Sequence, residues 1–278
     1  MQAAETMTAK ECGGCTTGCN SAHLTKLGIN ADKFDFVIAL AGNPNTGKST
    51  IFNQLTGLRQ HVGNWAGKTV ARAEGAFDFN DKKYKLVDLP GTYSLLSTSV
   101  DEEIARDFVL FAKPDVTIIV ADATRLERNL HLVLQILEIT DHAVLALNLI
   151  DEARRNNLTI DERALSRALG IPVVPLAARR NEGIAELLTA VESVANGGFP
   201  TRPRRIKYTD AALESAVDNL SRQLNETFEA VPNARWIALR LIEGDESIIK
   251  AVREKTLGTL KISKQFDFPQ RLAQLEAR

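Results

Sequence analysis

Apolar residues in this 278-residue chain recur with two different periods, and the change between them divides it into parts. From Phe36 to about Leu176, short and nearly continuous apolar runs alternate with segments whose apolar positions lie three and four residues apart. The runs Phe36–Ala41, Lys83–Asp88, Val116–Asp122, Ala143–Asn148 and Pro172–Leu176 have the length and β-branched content of buried strands. Helical spacing marks Ser49–Leu58, Asp101–Phe111, Leu126–Ile139, Glu162–Leu169 and Ile184–Val194. Strand and helix in alternation predict a parallel sheet with crossover helices. A further run, Ala73–Phe79, meets Lys83–Asp88 through Asn80-Asp81, a two-residue hairpin connection. The predicted fold is α/β, with a mostly parallel sheet of six to seven strands flanked by helices, plus a small all-α domain.

That second domain is announced by a break at Asn196-Gly-Gly-Phe-Pro200. Residues 201–207 read as a solvated linker carrying Arg202, Arg204, Arg205 and Lys207, and beyond them only helical spacing remains. Leu213, Val217, Leu220 and Leu224 form one stripe; Trp236, Ile237, Leu239 and Leu241 form another that stops at Gly244. A last helix starts at Pro269 and is cut in mid-pattern at Arg278, which predicts a continuation. Residues 1–34 are polar, glycine-rich and without period, so they are expected to be a flexible extension. The boundaries are therefore 1–34, 35–199 for the α/β domain and 205–278 for the helical one.

Composition narrows the classes. Lysine plus arginine number 34 against 35 aspartates and glutamates, so no global charge draws the chain to nucleic acid. The N-terminus lacks the layout of a secretory signal, and no apolar stretch is long enough to span a bilayer. A soluble, cytoplasmic fragment is expected. All three cysteines, Cys12, Cys15 and Cys19, lie near the N-terminus, so disulfides do not frame the fold. With His23 they offer four ligands to zinc, ferrous iron or an iron–sulfur cluster. A metal site and a tail of flexible thiols both remain open.

The candidate chemistry sits at the ends of the predicted strands. Gly42-Asn43-Pro44-Asn45-Thr46-Gly47-Lys48-Ser49, followed by Thr50, is a complete G-x-x-x-x-G-K-S loop between a strand and a helix. Its glycines let successive N–H groups converge on phosphate oxygens, Lys48 brings charge to the β- and γ-phosphates, and Ser49 offers a hydroxyl to Mg2+. Asp88-Leu-Pro-Gly91 supplies a carboxylate for a Mg2+-bound water and an amide at Gly91 that senses the γ-phosphate. Asn148-Leu-Ile-Asp151 supplies a carboxylate able to accept both N1–H and N2–H of guanine, with Asn148 as a brace. Ala177 and Ala178 follow the last strand, where a backbone N–H is placed to meet the guanine O6. Thr69 is the one serine or threonine between residues 57 and 91, and thus the candidate to complete the Mg2+ shell as a switch residue. Thr92 stands where Ras-like proteins carry a water-orienting glutamine, so unaided hydrolysis is expected to be slow. Gln60 and His61 are expected to be exposed bystanders.

Together these residues resemble the N-terminal cytosolic module of FeoB-type bacterial ferrous iron transporters. The resemblance runs through Gly42–Ser49, Val62-Gly-Asn-Trp-Ala-Gly-Lys-Thr69, Asp88-Leu-Pro-Gly-Thr-Tyr-Ser-Leu95, Asn148–Asp151 and the helical Arg235-Trp-Ile-Ala-Leu-Arg-Leu-Ile-Glu-Gly-Asp245, and covers roughly residues 36–260. It implies a P-loop GTPase domain that binds GTP or GDP, a helical domain likened to a dissociation inhibitor, and a membrane pore beyond this chain. It implies K+-stimulated hydrolysis, with Asn45 and switch backbone near Trp65 holding the ion. The catalytic set so implied is Asn45, Lys48, Thr69 and Gly91. The setting is the cytoplasmic face of the bacterial inner membrane. The expected partners are the chain's own membrane domain, small cytosolic accessory proteins of iron transport and further copies of itself, with no nucleic acid. Ala66 and Lys68 stand where the family commonly has proline and valine, Leu149 where N-K-x-D has lysine, and Ala177 where serine is frequent. The last two predict modest nucleotide affinity and fast GDP release. Two other readings stay in view, an RNA- or ribosome-associated GTPase and a metal-sensing switch working through the cysteines.

Overall fold

A computed structural model describes Leu24, Ile29 and residues 33–57, 60–65, 68–96, 99–206, 209–228, 231–255 and 257. The cysteine cluster with His23, Leu58, Ala66, Gly67, Lys207 and the helix start at Pro269 lie outside the described residues.

The strands are β1 (Phe36–Gly42), β2 (Gln60–Asn64), β3 (Ala71–Phe79), β4 (Lys82–Asp88), β5 (Val116–Asp122), β6 (Ala143–Asn148) and β7 (Val173–Pro175). The helices of the first domain are α1 (Lys48–Thr56), α2 (Val100–Asp107), α3 (Leu126–Ile139), α4 (Ile150–Arg155), α5 (Glu162–Leu169) and α6 (Ile184–Ala195). The helical domain contributes α7 (Ala211–Thr227), α8 (Ala234–Ile242) and α9 (Glu246–Arg253).

The seven strands form one sheet in the order β2-β3-β4-β1-β5-β6-β7. From β4 to β7 all pairs are parallel, while β2 and β3 join by antiparallel pairing. β1 lies between β4 and β5, so the strand order reverses beside it, and the crevice at its carboxyl end is where such sheets bind ligands. Period-two alternation feeds two cores. Ile38 and Leu40 face the layer of Ile51, Phe52, Leu187 and Val191 from α1 and α6. Val37, Ala39 and Ala41 face Phe108, Leu132 and Ile136, and that core runs unbroken into Val217, Leu224, Trp236 and Ile248 of the helical domain.

Two polar joints accompany this shared core. The Asn233 side chain accepts from Trp236 N at 3.1 Å, capping the start of α8, and donates to Glu138 O (2.5 Å) and Ile139 O (3.0 Å) at the end of α3. One amide therefore closes two helix ends in two domains, satisfying a donor of one and acceptors of the other. Arg106 in α2 is 1% exposed and donates to Ser247 Oγ at 2.9 Å at the start of α9. It also holds Asp107 Oδ1 at 2.7 Å. Burial pushes the Asp107 carboxyl up, and the guanidinium beside it pulls the other way.

Several expectations need correction. Residues 60–64, where no strand was expected, form edge strand β2 paired with β3. The segment after Asn148 forms the short helix α4, which carried no periodic signal because only Ile150 and Ala153 are buried. The helix expected over 101–111 is α-helical to Asp107 and then widens into a π turn, Phe108–Ala112, which turns four apolar residues inward and ends at Lys113 in the left-handed region. The solvated linker is instead a strap against the sheet domain: Arg202 N donates to Gly170 O (2.9 Å), Arg204 N to Leu169 O (3.1 Å) and Ile206 N to Glu138 Oε1 (2.5 Å). A Cβ on Gly170 would lie 1.9 Å from Arg202 O, so only glycine admits the strap there. Asn80 and Asp81 both have positive φ, as a type I′ hairpin requires.

Replacing Asn233 with alanine should lower unfolding stability in urea by about 1–3 kcal/mol, the sum of a lost cap and lost hydrogen bonds. Asn233→Asp keeps the acceptor for Trp236 N but loses the donor, and should fall between. Wild-type stability in the alanine variant would show that the amide does not hold the two domains together.

Candidate nucleotide-binding site

The loop after β1 is shaped by close approaches that exclude side chains. A Cβ on Gly42 would stand 2.6 Å from Val120 O, and one on Gly47, where φ is +85°, would stand 2.2 Å from Asn148 Nδ2. Thr46 Oγ1 donates to Asn43 O at 2.9 Å and closes the loop on itself, with both residues buried. Asn45 occupies the left-handed region at φ 65° and is exposed at the tip, a conformation asparagine tolerates well. No side chain caps the start of α1, so its first N–H groups point into the crevice available to an anion. Ser49, in that first turn, is exposed, and Thr50 is half-buried beside it.

Lys48 crosses to β4, donating to Asp88 Oδ1 at 2.6 Å and to Leu89 O at 2.7 Å. Burial pushes the Asp88 carboxyl up from its ordinary range, and the Lys48 ammonium pulls it down. Gly91 follows with its Cα facing the phosphate loop: a Cβ there would meet Pro44 Cα at 3.4 Å. Asp88, Gly91 and the loop are thus brought together. Thr92 is buried at 5% exposure, out of the solvent that an attacking water would come from. Past it, Leu95 N donates to Gln135 Oε1 of α3 at 2.7 Å, and Arg128 of α3 stacks over Tyr93 at 4.7 Å.

Asn148 joins the phosphate end to the base end. Its Nδ2 donates to Thr46 O at 2.9 Å, and its Oδ1 accepts from Ala178 N at 3.1 Å, with the residue 1% exposed. Leu149 then takes a left-handed turn (φ 62°) that starts α4 and aims Asp151 at a pocket of about 150 Å³. Asn45, Gly47 and Thr50 form one wall of it; Asn148, Asp151 and Ala178 form the other. Both amides proposed for the guanine O6 are used internally, Ala178 on Asn148 and Ala177 on Glu182 O at 3.0 Å. Arg179, the next residue, lines the pocket instead. Arg180, which the sequence reading passed over, places Nε 3.1 Å from Asp151 Oδ2. The Arg-Arg pair directly after Ala177-Ala178 was the signal available for it.

Trp65 and Lys68, in the expected switch segment, are anchored to the sheet domain. Trp65 is buried, its ring 5.6 Å from Phe108, with Arg72 over its face. Its N–H donates to Val70 O and its carbonyl accepts from Lys68 N, each at 3.0 Å. Lys68 pairs with Glu103 of α2 at 2.8 Å, and Thr69 beside it is exposed. His61 is exposed on β2. Among the described residues no group of three or more histidine, cysteine or acidic side chains is placed to hold a metal, and no helix is long and apolar enough to cross a membrane.

A family model described as ferrous iron transport protein B matches residues 36–191, and one described as the FeoB cytosolic helical domain matches residues 210–270. The Fe(2+) transporter FeoB of Escherichia coli strain K12 is 45% identical over 213 residues, which are 75% of this chain and 27% of that protein. Its counterpart from Salmonella typhimurium is 46% identical over 213 residues. The chain thus spans about a quarter of the length of these relatives. Among solved structures, the cytosolic domain of the T. maritima FeoB iron transporter in a GDP form matches with a TM-score of 0.71 at 36% identity, covering 87% of this chain and 93% of that one. The same domain in a GMPPNP form also gives 0.71. The FeoB G domain from Methanococcus jannaschii gives 0.52 at 47% identity, covering 58% of this chain and 97% of that one.

Asn148→Ala would strand Thr46 O and Ala178 N, two buried groups worth roughly 1–3 kcal/mol each. The variant should lose at least tenfold in GDP affinity by calorimetry and unfold at lower urea. An unchanged affinity would refute the bracing role.

Proposed function

This chain belongs to the ferrous iron transport protein B family, whose G domain and cytosolic helical domain it matches in that order, and we propose that it is the GTP-hydrolysing cytosolic part of a bacterial Fe2+ transporter. The remaining three-quarters of the whole protein supplies the membrane path, and this part works on the cytoplasmic side of the inner membrane. The observation that carries the reading is the bridge through Asn148, which places a phosphate loop and the Asp151 carboxylate around one cleft.

The residues divide the work by position. The N–H groups of the loop and of the first turn of α1 bind the β- and γ-phosphates, and Lys48 leaves Asp88 and Leu89 O to bring its charge to them. Asp151 takes the two guanine donors, in exchange for or alongside Arg180. The exposed Ser49 hydroxyl and the Asp88 carboxylate are hard oxygen donors that fit Mg2+, which would supply positive charge at the β/γ bridge. Its nearness would favour the ionised form of Asp88, opposing the effect of burial. Thr69 would join that shell when the segment after Trp65 closes over the loop, and Gly91, already against Pro44, would sense the γ-phosphate. In hydrolysis water adds to the γ-phosphorus, the bond to the β/γ-bridging oxygen breaks, and GDP and phosphate leave. Thr92 cannot orient that water from its buried place, so turnover without further help is slow. Asn45 at the exposed tip, with backbone of the Trp65 segment, fits K+, whose charge would stand in for an arginine finger.

Asp151→Asn should trade the acceptor for a donor, reducing GTP affinity and raising that for xanthosine triphosphate, with a net preference change of at least a hundredfold. An unaltered preference would place guanine recognition elsewhere. Replacing K+ by Na+ should lower steady-state GTP turnover several-fold in the wild type, and Asn45→Ala should erase the difference. Equal rates in both salts in the wild type would remove K+ from the mechanism.

A further inference from the structure

The strap between the two domains lies at the amino-terminal end of the sheet, opposite the nucleotide cleft, since it runs past the last turn of α5 and the residues before β6. Its backbone is fixed at Gly170, Leu169 and Glu138, so its side chains alternate: Thr201, Pro203 and Arg205 are half-buried, whereas Arg202, Arg204 and Ile206 are exposed. Arg205 is neutralised by Asp141 at 2.8 Å, but Arg202 and Arg204 have no ion-pair or hydrogen-bond partner for their side chains among the described residues. The strap meets the end of α5 at Leu169 and Gly170, and that helix carries Arg163 and Arg167 four residues apart. Both are exposed and likewise unpaired among the described residues. Acids bordering the strap are engaged: Asp141 by Arg205, Glu138 by Ile206 N, and Glu214 by Arg235 at 2.9 Å.

The strap and the helix it meets thus carry four exposed guanidiniums, edged by Ile206 at 46% and Phe199 at 37% exposure. We infer that this face docks on the anionic lipid surface of the membrane that holds the rest of the transporter, an inference that rests on the reading above. Guanidinium forks match phosphate oxygens, and the two apolar side chains are placed to enter the headgroup layer. A nucleic acid would want aromatic platforms for its bases, and the face offers one phenylalanine at its rim. Each arginine near an anionic leaflet raises partitioning roughly fivefold. Tethering to the membrane raises the effective concentration and strengthens such a contact further. Docked this way, the nucleotide cleft faces away from the bilayer and stays open to GTP.

The test is co-sedimentation of the 278-residue chain with vesicles of phosphatidylglycerol and phosphatidylethanolamine, and with pure phosphatidylcholine, at low and high salt. Binding to the anionic vesicles alone, abolished by salt, is expected. Arg202→Gln with Arg204→Gln should cut it at least tenfold, while the equally charged change Arg222→Gln with Lys250→Gln on the helical domain should not. GDP affinity, measured in parallel, should be the same in all three proteins. No vesicle binding by protein that binds GDP normally overturns this inference and leaves the GTPase reading standing; loss of GDP binding in the wild type would sink that reading instead. Equal effects of the two double variants would reduce the attraction to net charge, and retention on single-stranded RNA without vesicle binding would reassign the face to nucleic acid.

Discussion

A single buried amide holds the nucleotide cleft in shape. Asn148 stands at the carboxyl end of a fully buried strand and spends its donor on the phosphate loop and its acceptor on the loop that follows β7. Its reach depends on Gly47, whose absent Cβ leaves the space that the Asn148 amide fills. The left-handed turn at Leu149, disfavoured for a leucine, places Asp151 at the pocket. The phosphate loop and the loop after β7 are therefore one mechanical unit.

The two domains are joined through elements that also touch the switch. Helix α3 receives the helical domain at its carboxyl end, through Asn233, and holds Leu95 and Tyr93 along its length, through Gln135 and Arg128. Helix α2 is tied to Lys68 by Glu103 and to the start of α9 by Arg106. Burying Arg106 costs desolvation, which its bonds to Asp107 and Ser247 offset, and such a pair fixes geometry more than it adds stability. Motion of the segment that carries Thr69 is thus opposed by contacts that reach the second domain. The uninterrupted apolar core beneath these joints makes independent movement of the two domains costly.

The sheet domain was readable because its strands are buried on both faces and its loops carry residue types that few other chemistries use. Val116–Asp122 and Ala143–Asn148 appear with their expected limits. The failures have physical causes. β2 contains Gly63 and Asn64, poor strand formers, and exists through pairing with β3, which no local pattern reports. The strap looked like a linker because arginine and proline suggest solvent, whereas its order comes from backbone bonds to a distant helix end. Within the site, N-x-x-D suggested Asn148 as a brace, and its amide bonds to Thr46 O and Ala178 N. The engaged amides of Ala177 and Ala178 and the Arg180 contact depend on how the last loop closes, through the bridge to Glu182. Thr69 was expected as a switch residue by elimination alone, and elimination carries no information about where the segment rests.

Every strand and helix of the sheet domain is complete by Ala195, and the contacts that receive the helical domain lie on residues already made: Glu138 and Ile139 for Asn233, and Arg106 for Ser247. During synthesis the first domain can close before the second leaves the ribosome, and the second then adds to a finished surface across sequence separations of 94 and 141 residues. Contacts so distant form late. Until they do, the Trp236 face is bare and prone to aggregate. A ribosome pausing after the strap would give the sheet domain time to present that surface first.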